Sequence, residues 1–120
     1  MAEFVVYVKD FELGTKIAEV GADLNREVIF PDSFHFTEGI IGGETELVII
    51  DLDENQKITE ELILEIRSSH PRLPIVGFFS SVQKRRHKKV KNLGCTWVLP
   101  RSSFVKNLPT LIERRMKPND

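Results

Sequence analysis

Residues 46–54 read ELVIIDLDE, and this stretch decides the fold. The aliphatic residues 47–50 run without alternation into the carboxylates of Asp51 and Asp53. A strand that is covered on both faces has no polar side, so such a run is typical of a buried parallel strand. The functional crevice of an open parallel sheet lies at the carboxyl ends of its strands, which makes Asp51 a candidate site residue. The alternative is that both carboxylates only open a loop and cap the next helix.

Further apolar segments on both sides of this stretch predict the remaining elements. The five predicted strands are residues 4–8, 28–30, 46–50, 74–79 and 96–99. Amphipathic spacing predicts helices over about 13–24, 59–69, 82–93 and 104–112. A weaker helix is expected after Pro31, where glycines at 39, 42 and 43 interrupt the pattern.

The ends of the last two helices carry recognisable signals. Ser80 or Ser81 is the predicted cap of the helix over 82–93, and Gly94 is its terminator. Ser102 or Ser103 is the predicted cap of the last helix. Pro109 either kinks that helix or marks the start of its regular part.

Strands that alternate with helix-length segments predict an α/β fold, a five-stranded doubly wound parallel sheet in a flavodoxin-like three-layer sandwich. The strand order 2-1-3-4-5 suits a chain of this size, and it puts the switch point between strands one and three. Residues 1–120 are then expected to form one domain. In that order Lys9, Asp10, Asp51 and Asp53 converge on one crevice.

The composition is that of an ordinary globular protein, with 41% hydrophobic and 29% charged residues among 120. No apolar run reaches the roughly 18 residues of a membrane span, and the chain starts without a basic signal peptide. We therefore expect a cytoplasmic protein without membrane contact. The single cysteine, Cys95, cannot form an internal disulfide. No Ser-His-Asp order, glycine-rich phosphate loop or metal cluster can be assembled, so we do not expect an enzyme.

Charge is segregated along the chain. Residues 1–63 carry 15 acids and 4 bases, whereas residues 64–120 carry 3 acids and 13 bases. Six of these bases lie between Lys84 and Lys91, in the stretch that we call the basic segment. Such segregation predicts one acidic and one basic surface, which bears on partners and not on fold.

Several motifs together resemble the response-regulator receiver family, the CheY-like domains of two-component signalling. An acid follows the first strand, an Asp ends the third, and the fourth runs into a hydroxyl-rich turn. A Gly-small pair precedes the fifth strand, and a base lies seven positions after that glycine. These features are Asp10, Asp51, Phe78-Phe79-Ser80-Ser81, Gly94-Cys95 and Arg101.

The resemblance implies roles for these positions. In the family, the Asp that ends the third strand accepts a phosphoryl group, and two acids after the first strand help to hold Mg²⁺. A Thr or Ser at the end of the fourth strand contacts the phosphate, and a Lys at the end of the fifth completes the site. Asp51 is therefore the implied phosphoacceptor. If Mg²⁺ binds, its implied ligands are Asp10, Asp51 and the residue two after the acceptor, Asp53.

The remaining positions depart from the family pattern. Lys9 occupies the place of the second acid, Phe79 falls on the hydroxyl position with Ser80 one place later, and Arg101 replaces the Lys. This combination is similar to an atypical or pseudo-receiver. It implies a signal-transduction module that acts by phosphorylation-independent protein–protein interaction. The alternative is an active, Mg²⁺-dependent phosphoaspartate receiver in a phosphorelay.

Whether the crevice is expected to bind a metal ion depends on Lys9. An ammonium in the crevice repels Mg²⁺, and it can form ion pairs with Asp10 and Asp51 where the metal would lie. We therefore expect no cofactor, with Mg²⁺ left open because Arg101 can bind phosphate bidentately and Asp53 adds a carboxylate.

The basic segment is the predicted partner-binding surface. Receivers commonly dock partners through the fourth helix and fifth strand, which here gives Lys84, Arg85, Lys88, Lys91, Val98 and Phe104. A protein partner in signalling is favoured. Nucleic acid is the rival, because clustered bases neutralise phosphates, but no base-reading motif or interleaved aromatic residue accompanies the run.

Overall fold

Strands and helices alternate along the computed structural model, which describes residues 3–36, 39–81 and 83–113. Its strands are β1 (Glu3–Tyr7), β2 (Glu27–Ile29), β3 (Thr45–Asp51), β4 (Ile75–Phe79) and β5 (Trp97–Pro100). Its helices are α1 (Phe11–Asp23), α2 (Gln56–Ser69), α3 (Lys84–Leu93), α4 (Arg101–Lys106) and α5 (Leu108–Glu113). No helix in these ranges is long and apolar enough to cross a membrane.

All five strands are parallel, and their order is β2-β1-β3-β4-β5. The predicted fold class and strand order are therefore confirmed. β3 lies at the centre, where Ile50 is paired with Tyr7 of β1 and Asp51 with Phe78 of β4. Because parallel strands end at the same edge, this register brings the residues that follow each strand together.

The core lies on both faces of the sheet. Alternate residues of β3 point to opposite faces, so Val48 and Ile50 belong to one cluster and Leu47 and Ile49 to the other. The first cluster includes apolar residues of α2 and α3, and the second includes those of α1, α4 and α5. Both faces of β3 are thereby buried, which explains its uninterrupted aliphatic sequence.

The weak helix expected after Pro31 is not present in the described parts of 30–44. The described parts of this segment instead make bends, turns and a bridge at Ile41. Phe34 and Ile41 are buried in the first cluster, so the segment covers the sheet without helical structure. Gly39 has φ of 95°, a left-handed conformation that an α-helix cannot contain.

The boundaries of α3 differ from the prediction at one end. Gln83 occupies its N-cap position and makes no side-chain cap hydrogen bond, so neither Ser80 nor Ser81 caps it. Gly94 ends it with φ of 129°, as predicted. Val82, one of the apolar residues assigned to this helix, lies outside the described residues.

The predicted last helix is two short helices that are separated at Asn107. Ser102 and Ser103 lie inside α4, whose N-cap position is Pro100, so neither serine is the cap. Pro109 is the second residue of α5, where its missing N–H is not needed. The interpretation of Pro109 as the start of a regular helix is therefore the right one.

Candidate functional site

The carboxyl edge of the sheet gathers the residues that the sequence singled out. Lys9 and Asp10 follow β1, Asp51 ends β3 and Asp53 lies two residues later. Ser80 follows β4, and Arg101 is the first residue of α4 directly after β5. The predicted convergence on one edge is therefore observed, but the side chains within it are paired differently from the prediction.

Asp10 is held from two sides. Its Oδ1 atom accepts a hydrogen bond of 3.0 Å from the backbone N–H of Leu13, so it is the N-cap of α1. Its Oδ2 atom accepts from Nη2 of Arg101 at 2.6 Å. The Leu13 amide, and after it Arg101, hold the pKa of Asp10 below its ordinary value.

Asp51 is buried, with 4% of its surface exposed. Its Oδ1 atom accepts from the backbone N–H of Asp53 at 2.9 Å. Its Oδ2 atom lies 3.9 Å from Nη1 of Arg101, which is an ionic contact but not a hydrogen bond. Burial, with repulsion from Asp53 and Glu54, raises the pKa of this carboxyl above its ordinary value.

Arg101 is the cation of the crevice. Its guanidinium contacts both Asp10 and Asp51, and it lies 5.6 Å from the centre of the Phe78 ring. In the sheet, β4 lies between β5 and β3. The side chain of Arg101, the first residue of α4, therefore extends over the end of β4 to the ends of β3 and β1. A permanently charged group thus lies between the two carboxylates.

Lys9 does not take this place, and the expectation that it pairs with Asp10 and Asp51 is wrong. Its ammonium lies 3.4 Å from Glu54 and 5.6 Å from the centre of the Phe34 ring. Successive residues of an extended chain point in opposite directions, so Lys9 and Asp10 diverge at the end of β1. Lys9 is 66% exposed and lies at the rim.

Asp53 holds the loop after β4. Its two carboxylate oxygens accept from the backbone N–H of Ser80 at 3.2 and 2.9 Å. Ser80 is exposed, whereas Phe79, at the position of the family's hydroxyl, is buried. The Arg86 guanidinium lies 5.0 Å from the centre of the Phe79 ring and connects the basic segment to this loop.

The residues of the predicted partner surface differ in their exposure. Lys84, Arg85, Lys88 and Lys91 are exposed on α3, and Nζ of Lys91 donates to the carbonyl of Thr96 at 2.9 Å.

Val98 and Phe104 are 8% and 1% exposed, so they belong to the core, and the expectation that they offer an apolar contact is wrong. Phe104 stacks on Phe78 with 4.8 Å between ring centres, under the sheet face that α4 covers.

The sequence did not point to Glu54, Glu60 or the inward direction of Arg86. Glu54 pairs with Lys9, while Glu60 lies beside Arg86 and Lys89 on the neighbouring helix. The N-cap role of Asp10 had an available signal, since an Asp directly before an amphipathic helix is a preferred cap.

No family model and no curated protein matches the chain. Solved structures do. A two-component response regulator from Clostridium difficile has a TM-score of 0.81 at 12% identity, over 100% of this chain and 99% of that one. Vibrio cholerae chemotaxis protein CheY4 has a TM-score of 0.75 at 15% identity, over 95% and 98%. The Mn²⁺-bound form of response regulator Rcp1 has a TM-score of 0.75 at 14% identity, over 98% and 96%. The chain therefore has the CheY-like receiver fold.

The metal of the Rcp1 structure makes the fit of a divalent cation a question for this chain. Among the described residues no three His, Cys, Asp or Glu side chains are grouped to hold a metal ion. Both oxygens of Asp10 and both of Asp53 already accept hydrogen bonds, and a guanidinium lies beside Asp51. Mg²⁺ is usually held by one or two carboxylates and several waters, and a carboxylate oxygen that accepts one hydrogen bond keeps a further lone pair. What opposes a divalent cation between Asp10 and Asp51 is therefore the positive charge of Arg101, which contacts both carboxylates. We assign no chemistry to such an ion.

Proposed function

We propose that the chain is a receiver-type signal-transduction module that acts by protein–protein interaction without phosphorylation of Asp51, and that it is not an enzyme. The observation that carries this proposal is the position of Arg101, whose guanidinium contacts Asp10 and Asp51 together. The proposal includes a cytoplasmic location, which the sequence leads us to expect.

The chemistry of Arg101 supports the proposal. A guanidinium stays charged at any pH that a protein tolerates, so Arg101 compensates one of the two negative charges of Asp10 and Asp51 without a metal. Phosphoryl transfer is catalysed largely by positioning and by stabilisation of charge on the transferred group, a task often done by metal ions. Both carboxylate oxygens of Asp10 accept hydrogen bonds, one from the backbone N–H of Leu13 and one from Arg101. The carboxylates at this edge are therefore paired with groups of the protein itself.

The rival is an active phosphoacceptor, and one observation favours it. Oδ2 of Asp51 lies 3.9 Å from Arg101, beyond hydrogen-bond range, and Arg101 is a good bidentate partner for phosphate. The rival would require Arg101 to leave Asp10 and turn toward the new phosphoryl group.

The exposed bases of α3 support an acidic protein surface as the partner. The ion pairs among residues 3–36, 39–81 and 83–113 do not include Lys84, Arg85 or Lys88. Such charges mainly speed association with an oppositely charged partner. Because Val98 and Phe104 are buried, any apolar contact comes from elsewhere.

The decisive experiment is incubation with Mg²⁺ and a small-molecule phosphodonor, followed by intact mass measurement. The proposal expects no phosphoryl adduct on the wild type, while a receiver with the full set of acids is labelled under the same conditions as the positive control. Stoichiometric labelling that Asp51→Asn abolishes and Asp32→Asn leaves intact would establish the rival.

A further inference from the structure

We propose that an apolar cavity beside α1 binds a cationic amphipathic segment of a partner protein. The segment inserts an apolar side chain into the cavity and places Lys or Arg against α1. The cavity has a volume of about 280 Å³. Most of its lining comes from one face of α1 and from the residue after β2, which gives Phe11, Gly14, Thr15, Ala18 and Phe30.

The two aromatic walls of the cavity are exposed. Phe11 is 85% exposed and Phe30 is 41% exposed, and neither belongs to a core cluster. Within residues 3–36, 39–81 and 83–113, the only other exposed large hydrophobic residue is Leu64 on α2. A single exposed hydrophobic residue needs no explanation, but two aromatic side chains that border one cavity are typical of an interaction site.

Small residues of α1 form the floor of the cavity. Gly14 and Ala18 are four positions apart, so they lie one turn apart on the same face of the helix. Phe30 lies against this face, because a Cβ atom on Gly14 would be 3.4 Å from Cε1 of its ring. The space between Phe30 and Phe11 is therefore large enough for a Leu or Phe side chain of a partner.

The exposure of Phe11 favours a protein segment over a small molecule as the ligand. A small-molecule site encloses most of the surface of its ligand, roughly 70–90%. Phe11 is the first residue of α1 and is mostly in contact with solvent, so it does not enclose a small ligand. A segment that lies along α1 would cover Phe11 and the cavity together.

The two charged residues that line the cavity are already compensated within the protein. Nζ of Lys9 lies 3.4 Å from Glu54, and Oδ2 of Asp10 lies 2.6 Å from Arg101. The charge that a partner meets is therefore set by the residues around the cavity.

The exposed surface of α1 around the cavity is acidic. Glu12 and Glu19 lie three positions before and four positions after Thr15, so they are its neighbours on the helix surface. Asp23 follows one turn later, and Lys16 is the single base of this helix. All four charged side chains are exposed, and the ion pairs of the described ranges include none of them. Three acids against one base leave an excess of two negative charges, which complements Lys or Arg of a partner.

This surface is distinct from the basic segment. Apolar residues of α1 belong to the second core cluster and those of α3 to the first, so the two helices cover opposite faces of the sheet. The inference therefore goes beyond the docking of an acidic partner on α3, and it does not depend on the state of Asp51.

The test is fluorescence anisotropy of the full chain with two labelled synthetic peptides of about 15 residues. The first is an amphipathic helix of Leu and Lys, and the second has the same Lys positions with Gln in place of Leu. We expect saturable binding of the Leu/Lys peptide at an ionic strength of about 0.15 M. The Gln/Lys peptide should bind at least about tenfold more weakly, because it has no apolar side chain for the cavity.

Substitution of the aromatic walls tests the position of the peptide. Phe11→Ser/Phe30→Ser should weaken binding of the Leu/Lys peptide at least about tenfold, because apolar contact with both rings is lost. Leu64→Ser is the control, since it removes the other exposed hydrophobic residue and should change binding by less than about twofold.

Substitution of the acids tests the charge of the partner. Glu12→Gln/Glu19→Gln should weaken binding of the Leu/Lys peptide about threefold. Glu61→Gln/Glu65→Gln removes two exposed acids from α2 and should stay within about twofold of the wild type. Every substituted position is exposed, so the variants should fold, and circular dichroism checks this.

Several results would overturn the proposal. These are the absence of saturable binding of the Leu/Lys peptide, equal weakening by the Phe and Leu64 substitutions, and equal weakening by the two pairs of Glu substitutions. Sedimentation equilibrium and titration with indole test the other occupants. A dimer that Phe11→Ser/Phe30→Ser dissociates would assign the cavity to a second copy of the chain. Tighter binding of indole than of the peptide would assign it to a small ligand, and either result overturns the proposal.

Discussion

The Nη2 atom of Arg101 lies 2.6 Å from Oδ2 of Asp10, although 91 positions separate the two residues. The contact exists because β1 and β5 end at the same edge of the sheet, so the residues after them face a shared crevice. It joins the N-cap of α1 to the first residue of α4. The crevice thereby contains its own counter-ion.

Removal of this counter-ion should allow a divalent cation to bind. We expect Arg101→Gln to bind Mg²⁺ about tenfold more tightly than the wild type, the effect of removing roughly 1.4 kcal/mol of charge repulsion. Calorimetry and the rise of Tm with added Mg²⁺ measure the change.

Lys9→Gln is the matched control for that experiment. It also removes one positive charge from the same edge, but Lys9 pairs with Glu54 and leaves Asp10 and Asp51 untouched. An equal gain in Mg²⁺ affinity for Lys9→Gln would show that general charge at the edge, and not the position of Arg101, excludes the ion.

Asp51 should make the protein less stable at neutral pH than a neutral isostere would. Burial raises the pKa of Asp51 above its ordinary value of 3.8, so the folded state binds the proton more readily than the unfolded state. The stability therefore falls as the pH rises through the folded pKa. Asp51→Asn keeps an acceptor for the Asp53 amide, and it should raise the free energy of unfolding at pH 7 by about 1 kcal/mol.

The pH dependence separates this effect from better packing. Thermal unfolding at pH 7 and near pH 4 should show that the advantage of Asp51→Asn shrinks at the lower pH, where a larger fraction of the wild-type carboxyl is protonated. Asp32→Asn, at an exposed position, should show no such trend. An advantage that is the same at both pH values would contradict the charge argument.

The fold could be predicted because buried parallel strands have a characteristic sequence pattern. The aliphatic residues of β3 indicate that both faces of this strand are buried. The turn and helix signals between the strands indicate that strands and helices alternate along the chain. Once the order is known, the placement of Asp10 and Asp51 at one edge follows from topology alone. The helix expected after Pro31 was wrong because its apolar residues, such as Phe34, pack on the sheet from an irregular chain.

The pairing inside the crevice could not be predicted in the same way. The strand order places two cations, Lys9 and Arg101, near the carboxylates of the crevice. Which of them contacts Asp10 and Asp51 depends on the direction in which its side chain points at the end of its strand. Likewise, Phe104 has the same sequence signal whether it faces the core or a partner. Its burial depends on how α4 packs against Phe78.

Gly77 in β4 should not tolerate a side chain. A Cβ atom there would lie 2.5 Å from Cδ1 of Leu52 and 3.2 Å from Sγ of Cys95, both in the core. Gly77→Ala should therefore lower the free energy of unfolding by about 1–3 kcal/mol through overpacking. Gly43→Ala is the control, because nothing lies within 4 Å of its Cβ position. Chemical denaturation of both variants checks this, and equal stability would show that Leu52 moves aside without cost.

The exposed bases of α3 should behave as a protein-docking surface and not as a DNA-binding one. If the basic segment bound DNA, the logarithm of affinity would fall against the logarithm of salt with a slope of about −0.9 for each phosphate neutralised. We expect no retention of duplex DNA in a gel shift at about 0.15 M salt. Reversal of charge at Lys84, Arg85 and Lys88 should instead slow association with an acidic partner.

A matched reversal elsewhere makes this result specific. Lys16, Arg72 and Lys106 are exposed on α1, between α2 and β4, and on α4, and their reversal changes the net charge by the same amount without altering α3. If the effect belongs to the surface of α3, only the first set of substitutions slows partner association. Because steering acts on the encounter, the rate of dissociation should stay nearly constant in both sets. Tight, strongly salt-dependent DNA binding by the wild type would replace the signalling interpretation with a nucleic-acid-binding one.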